Sequence, residues 1–332
     1  WHLGKPIPEL WGTPIWGIAA GSAAYASRSI WPVVAAHWLL NVWLDAANGE
    51  ELYLLCACAA PPSAPAPPVV LMTDFGLADD AVGLMRGVIL SIAPRSPVVD
   101  LTHEVAPQAV ADAAFLLDAA APYFPWGTIH VAVVDPGVGS SRGILAANHR
   151  KHFFIAPDNG VLTLLLNTEK SDTIIRVDNS NFFLEPLSST FHGRDIFASV
   201  GAHLSRGTNL DAFGTRTDVK DTMCLKGLNC RLSQTGELIG NVVSVDRFGN
   251  LITNIDSVSL AAFCEKNASK KLQIHIGAVA ISGLSRAYSD AAPKALLAYV
   301  GSRNYLEIAV NRGNAKEHLK VRMGDPVRLT RF

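Results

Sequence analysis

The chain has 332 residues, with 28 basic and 29 acidic side chains and a formal net charge of −1, so it has room for two domains and a substantial core. A balanced charge with no long run of Lys or Arg leaves no electrostatic footprint for nucleic acid. Five cysteines, at positions 56, 58, 224, 230 and 264, are odd in number and irregular in spacing, which reads as reduced thiols in a cytoplasmic core with no disulfide framework.

The first 60 residues differ in character from the rest. The chain begins at Trp1 and not at Met, as a fragment or a trimmed product would. Six of the seven tryptophans precede residue 44, Ser29 to Leu44 carries no Lys, Arg, Asp or Glu, and Leu52 to Ala60 is apolar again. An uncharged stretch of this length, with Pro32 near its start, falls short of the roughly 20 residues that span a bilayer. Its tryptophans suit a membrane interface, and no signal-peptide pattern is legible. Cys56-Ala57-Cys58 has no second pair at zinc-binding spacing, so no metal site is expected. Residues 61–68 hold five prolines and read as a semi-rigid linker.

From residue 69 to 227 the pattern predicts an α/β domain. Val69 to Met72 is a short apolar strand that ends in the turn Thr73-Asp74-Phe75-Gly76. Ala81 to Ile92 has helical apolar spacing, with Asp79 and Asp80 at its start. Val98 to Leu101 is a second strand and Ala106 to Ala121 a second helix. Ile129 to Val134 is a third strand, apolar except for His130, as in a strand covered on both faces. This alternation predicts a largely parallel sheet, with Asp135 at the carboxyl end of a strand, where such sheets place ligands. Residues 228–332 change register. Glu237 to Val245, Leu251 to Ile255, Leu272 to Ile276, Ala295 to Val300, Tyr305 to Val310 and Leu319 to Arg322 are short runs separated by turn residues. They predict an all-β domain, a sandwich or a small barrel.

Two familiar spellings are decoys. Asp74-Phe75-Gly76 matches the kinase magnesium motif, but no kinase lysine strand or catalytic loop accompanies it. The glycines at 137, 139 and 143 have the wrong spacing for a dinucleotide fingerprint. The chemistry-bearing stretches are Asp135-Pro136-Gly137-Val138-Gly139-Ser140-Ser141-Arg142 and Thr190-Phe191-His192-Gly193-Arg194-Asp195. A carboxylate, a fixed cation and an imidazole are what a site needs to hold a water, orient it and take its proton. His192 has the suitable unperturbed pKa, while burial would raise that of Asp135, so the base stays open between them. Arg194 and Asp195 read as structural, as an ion pair or a helix-start acid.

These two stretches, with Thr73-Asp74-Phe75-Gly76, Pro157-Asp158-Asn159-Gly160 and Phe248-Gly249-Asn250, resemble the S-adenosylmethionine hydroxide adenosyltransferases, relatives of the fluorinase and chlorinase. The resemblance runs from about Val69 to Phe332. It implies an α/β domain followed by a β domain, and hydrolysis of S-adenosylmethionine to adenosine and methionine, with Asp135, Arg142 and His192 as the catalytic triad. It further implies that Asp74 accepts from the ribose hydroxyls, the alternative being a turn-capping role. Asp79 and Asp246 would meet the methionine ammonium, the alternatives being a helix N-cap and a turn former. Ser302 and Arg303 match the carboxylate-binding pair, and Asn250 the adenine-binding amide. Val310 stands where the fluorinase has an arginine, and Ala81 where it has a serine, which weighs against a halogenase. The resemblance also implies a homotrimer with the ligand between subunits and no cofactor, since S-adenosylmethionine is itself the substrate. Competing readings are a chlorinase-like halogenase, a non-catalytic sensor of the same ligand and a membrane-tethered scaffold. Separately, Arg28-Ser29-Ile30-Trp31-Pro32, Ala36-His37 and Asn41 resemble the last helical motif of the CPBP (CAAX-processing) intramembrane proteases. Without the acidic partners of that family, this segment is expected to be an inert remnant, the alternative being a coincidental apolar leader.

Overall fold

A computed structural model describes residues 66–166, 173–266 and 271–331. The Trp-rich extension, with its resemblance to the CPBP motif, lies outside the described residues. From Ala64 to Phe332 the chain forms one compact unit. Among the described residues no helix is long and apolar enough to cross a membrane.

The α/β part is built on seven strands: β1 (Val69–Thr73), β2 (Val98–Thr102), β3 (Ile129–Val133), β4 (Ile144–His149), β5 (His152–Pro157), β6 (Thr173–Val177) and β7 (Gly214–Thr217). Their order is β2-β1-β3-β5-β4-β6-β7. The parallel sheet expected from sequence is present in β2, β1, β3 and β5. Beyond β5 every pairing is antiparallel, so the whole sheet is mixed. The reversal occurs at Arg150 and Lys151, both at positive φ, which is what a two-residue hairpin loop demands. Neither residue announces such a turn, and the β4–β5 hairpin therefore had no sequence signal.

Successive residues of a strand face opposite sides, and here both sides are covered. Val69, Leu71, Ile129 and Val131 pack with Met85 and Ile89 of helix α1 (Ala81–Ile92) and with Phe197 and Val200. Met72, Ala132 and Val134 face the other way, toward Leu117 of helix α2 (Val110–Ala120) and Phe154. Helix α1 has its predicted bounds. Helix α2 starts later than expected, because Pro107 is followed by Gln108 at φ 65°, a conformation that cannot continue into a helix.

The second part is an all-antiparallel sheet of eight strands: β8 (Arg231–Leu232), β9 (Leu238–Val245), β10 (Leu251–Asp256), β11 (Leu272–Ile276), β12 (Val279–Ser282), β13 (Leu296–Val300), β14 (Tyr305–Val310) and β15 (Pro326–Arg331). Its order is β12-β11-β15-β9-β10-β14-β13, with β8 on β9. The terminal strands β12 and β13 touch, which nearly closes the sheet into a barrel around Val242, Leu251, Ile274, Leu306 and Leu329. One predicted strand is wrong. Residues 319–322 do not form a strand: Ala315–Leu319 is a short helix whose entry is capped by Asn314, with Glu317 N donating to Asn314 Oδ1 at 3.0 Å. The last strand follows it. The apolar run was shared between a helix end and a turn, which a period-2 count does not separate.

His130, the one polar residue of β3, is buried with neither ring nitrogen hydrogen-bonded, stacked on Phe154 at 5.0 Å. Burial first, and neighbouring His152 second, lower its pKa to about 3. The unfolded chain therefore binds a proton here that the folded one refuses. The resulting stability is complete above pH 6.5 and is lost as pH falls from 6.5 toward 3. His130→Phe should flatten this acid loss by up to about 1.4 kcal/mol per pH unit, read from urea midpoints between pH 7 and 4. Equal pH slopes for the two proteins would contradict the assignment.

Candidate active site

Asp74 and Asp135 follow neighbouring parallel strands, since β1 and β3 pair in register up to Thr73 and Val133. Both carboxylates thus stand at the same edge of the sheet. Asp135 is held by Arg142 across the glycine-rich turn. Arg142 Nε donates to Asp135 Oδ1 at 3.0 Å and to Oδ2 at 2.9 Å, and Nη2 donates to Oδ2 as well. The same Nη2 lies 3.0 Å from His192 Nδ1. A guanidinium only donates, so Nδ1 accepts and the imidazole proton sits on Nε2. The three predicted catalytic side chains therefore form one connected cluster, with Arg142 in the middle.

The pair is nearly enclosed, with side-chain exposures of 5% for Asp135 and 10% for Arg142. Arg142 also lies over the ring of Phe197, 5.5 Å from its centroid. Burial is the main cause that lowers the pKa of His192, and Arg142 adds to it against the opposing charges of Asp135 and Asp195. The neutral imidazole is thus the form present at neutral pH, in agreement with its acceptor role. His192 caps a π-helical turn, Gly193–Ala198, that runs into the helix Ser199–Ser205. Such a turn re-aims a side chain and is frequent at functional sites.

The loops that carry these residues are fitted to one another. Gly193 brings its backbone against Phe75, where an added Cβ would lie 3.2 Å from the ring, and Phe75 meets Phe191 edge to face at 6.0 Å. The Asp195 carboxylate, paired with Arg194, accepts from Ser188 N at 2.8 Å and ties down the approach to His192. The structural ion pair read from sequence is present. Asp74 Oδ2 accepts from Gln108 N at 2.7 Å, and Asp79 Oδ1 accepts from Ala81 N at 3.0 Å at the start of α1. The turn-capping and ligand roles of these two acids are compatible, since each keeps a second oxygen.

The remaining predicted residues lie on the barrel. Asp246 and Asn250 close the β9–β10 hairpin. Asp246 Oδ1 accepts from the backbone of Phe248 at 2.9 Å and of Asn250 at 2.8 Å, and Oδ2 accepts from Asn250 Nδ2 at 2.8 Å. Asn250 Nδ2 also donates to the hydroxyl of Tyr288 at 3.0 Å. Sequence reasoning missed Tyr288, which opens a 3-10 turn, Tyr288–Asp290, too short to carry a periodic signal. Phe248, beside Asn250, is 74% exposed. Ser302 and Arg303 are elsewhere, on the β13–β14 turn. Leu251 pairs with Ile308 while Asp256 pairs with Tyr305, so the two turns occupy opposite ends of β10, about 17 Å apart by strand geometry. Ser302 O accepts from Tyr123 at 3.1 Å. Arg303 offsets the burial that raises the pKa of Asp112. Both line a cleft of about 560 Å³ between the α/β part and the barrel.

Residues 69–214 match the family model described as SAM hydroxide adenosyltransferase N-terminal domain, and residues 240–328 match the one for its C-terminal domain. The chain belongs to the SAM hydroxide adenosyltransferase family. A protein of Thermus thermophilus named (R)-S-adenosyl-L-methionine hydrolase is 37% identical over 269 residues, covering 79% of this chain and 99% of the relative. A solved structure of a conserved protein from Thermotoga maritima superposes with a TM-score of 0.73 at 35% identity, over 79% of this chain and all of that one. A fluorinase from Nocardia brasiliensis is more distant, 27% identical over 290 residues, covering 79% of this chain and 96% of the relative. The family-model match begins at residue 69, and the CPBP resemblance of the first 60 residues is not borne out.

Gly139, at φ 74°, presses its Cα against the carbonyl of Ser189, where a Cβ would collide. This contact is what brings the Arg142 turn to the His192 turn. Gly139→Ala should cut turnover at least tenfold while lowering the melting midpoint by only a few degrees. Turnover within twofold of wild type would show that the two turns need no such approach.

Proposed function

We propose that this chain hydrolyses S-adenosylmethionine to adenosine and L-methionine, using the cluster of Asp135, Arg142 and His192 to activate the water. The carrying observation is the hydrogen-bonded contact of these three side chains at the carboxyl edge of the sheet. The curated relatives named as hydrolases, which match nearly end to end, support the same reading.

The sulfonium of the substrate is already a good leaving group, so the reaction asks for a nucleophile and needs neither an acid nor a metal. In the step we envisage, the water oxygen attacks the ribose C5′ in line, and the C5′–S bond breaks with its electron pair going to sulfur. Arg142 spends Nε and Nη2 on Asp135 and His192. Among the described residues Nη1 donates to no protein group, so it can hold the oxygen as negative charge develops. His192 has its Nδ1 lone pair engaged and its Nε2 protonated, which leaves no free acceptor on the ring. Asp135 accepts from Gly137 N as well as from Nε and Nη2 of Arg142, three hydrogens against about four lone-pair sites, so it keeps one site with which to take the proton.

Asp74 accepts from the ribose hydroxyls and Asn250 meets the adenine. Asp79 and Asp246 face the ammonium. The carboxylate role of Ser302 and Arg303 is the assignment the geometry favours least, because they sit at the far end of β10. No hydrogen bond or ion pair among the described residues joins Asn250 to the Asp135 cluster. A homotrimer with each site shared between one subunit's α/β part and its neighbour's barrel would unite them. We place the core in the cytoplasm, consistent with the free thiols of Cys224, Cys230 and Cys264.

Incubation with S-adenosylmethionine in H₂¹⁸O, with and without chloride, tests the reaction. Adenosine carrying the label at O5′, whether or not chloride is present, is the expected product. A 5′-chloro nucleoside would move the chain to the halogenases, and binding without product would make it a sensor. Arg142→Ala should lower kcat by about 10²–10³ with affinity changed only a few-fold, and Asp135→Asn should be more damaging than His192→Asn. Because the pKa of His192 is lowered, kcat should stay level from neutral pH down past 6.5 and fall only below it. An acid limb at or above 6.5 would remove the neutral-imidazole role. For the shared site, Arg142→Ala and Asn250→Ala chains, each weak alone, should regain activity when unfolded and refolded together. No recovery in mixed assemblies would place each site within one subunit.

A further inference from the structure

Asn250 does not hang free in its hairpin. Its side-chain nitrogen has two hydrogens, and both are consumed: one by Asp246 Oδ2 at 2.8 Å and one by the Tyr288 hydroxyl at 3.0 Å. The Tyr288 hydroxyl lies 2.7 Å from that of Tyr299, which donates to Glu307 Oε2 at 2.6 Å. A carboxylate only accepts, and each phenol has one hydrogen. The direction of the chain is therefore forced from its buried end. Tyr299 gives its hydrogen to Glu307, Tyr288 gives its hydrogen to Tyr299, and the Tyr288 oxygen is left to accept from Asn250.

Both anchors of Asn250 thus call for the same amide orientation, nitrogen inward. Its Oδ1 receives no hydrogen from any described residue, so an acceptor is what the side chain offers a ligand. Burial, and then the bond to Glu307, push the Tyr299 phenol well above its ordinary pKa and keep it a donor. Glu307 is seated by Gly301, where any Cβ would strike the carboxylate. None of Tyr288, Tyr299 and Glu307 belongs to the residues assigned to substrate above.

We propose that Tyr288, Tyr299 and Glu307 form a positioning relay that locks Asn250 as a hydrogen-bond acceptor and so selects a purine with an amino group at C6 over one with an oxo group. The inference rests on the adenine role of Asn250 in the reading above. A 6-amino purine presents a donor at that edge and satisfies Oδ1. A 6-oxo purine presents a carbonyl against a carbonyl, and the amide cannot turn over without leaving Asp246 and Tyr288 both facing an oxygen. Sites built to complement one polar group reject the mismatched analogue strongly.

The test measures the affinity of adenosine and of inosine by calorimetry, alongside hydrolysis of S-adenosylmethionine, in wild type, Tyr288→Phe, Tyr299→Phe and Glu307→Gln. Wild type should favour adenosine by at least ~10-fold, and each variant should shrink that ratio by ~3-fold or more, chiefly through better binding of inosine. Glu307→Gln is near-isosteric and removes the forced direction without removing bulk. A merely structural role would weaken both nucleosides alike and leave the ratio unchanged, and that result would overturn the relay. Equal affinity of wild type for the two nucleosides would overturn it too. Failure of the hydrolysis assay with the ratio intact would count against the enzymatic reading and leave the relay standing.

Discussion

Arg142 is the hinge on which the α/β part of the site turns. One guanidinium is gripped on one side by the Asp135 carboxylate, on the other by the Nδ1 lone pair of His192, and on a face by Phe197. A cation this enclosed is stable only if its neighbours are complete, because stripping one partner from a buried charge leaves the others uncompensated. The surrounding loops can be understood as answers to that requirement. Gly139 and Gly193 let two turns approach within van der Waals distance, and Asp195 pins the segment that precedes His192. The π-helical turn sets the imidazole at the angle the guanidinium needs.

The charges in this cluster also bear on which nucleophile it serves. Asp135 and Arg142 cancel, and His192 is held neutral by burial and by the adjacent cation. A halide entering such a site would face a carboxylate with no surplus positive charge to offset it. Water meets no such barrier and has a proton to surrender, for which the carboxylate supplies an acceptor. Hydrolysis is accordingly the chemistry that uses every member of the cluster. The fluorinase being the more distant relative agrees with this.

What could be read from the bare chain divides along physical lines. The parallel strands and α1 were legible because continuous apolar runs and helical spacing are local signals. The grouping of Asp135, Arg142 and His192 was legible because reactive side chains stood in two glycine-rich turns. The antiparallel half of the first sheet was not, since its hairpin reverses at Arg150 and Lys151, residues that carry no turn chemistry. The end of the barrel was misread where one apolar run served a helix and then a turn. Tyr288 escaped notice for a related reason. It opens a 3-10 turn too short to show a period in sequence, and its importance lies in a partner more than thirty residues away.

The barrel contributes a different kind of order from the sheet. At the sheet edge a charged cluster is organised around a donor, Arg142, gripped by Asp135 and His192. In the barrel a buried carboxylate, Glu307, sends a fixed hydrogen-bond direction through two phenols to the buried amide of Asn250, whose Oδ1 receives no hydrogen from a described residue. In each case a carboxylate fixes the next group of the network, Asp135 the guanidinium of Arg142 and Glu307, through two phenols, the amide of Asn250. Fully satisfied polar networks rigidify the groups they include, so neither end needs to be reordered when substrate arrives. Reactivity and recognition can then be carried on separate parts of the chain and still meet one small molecule in register.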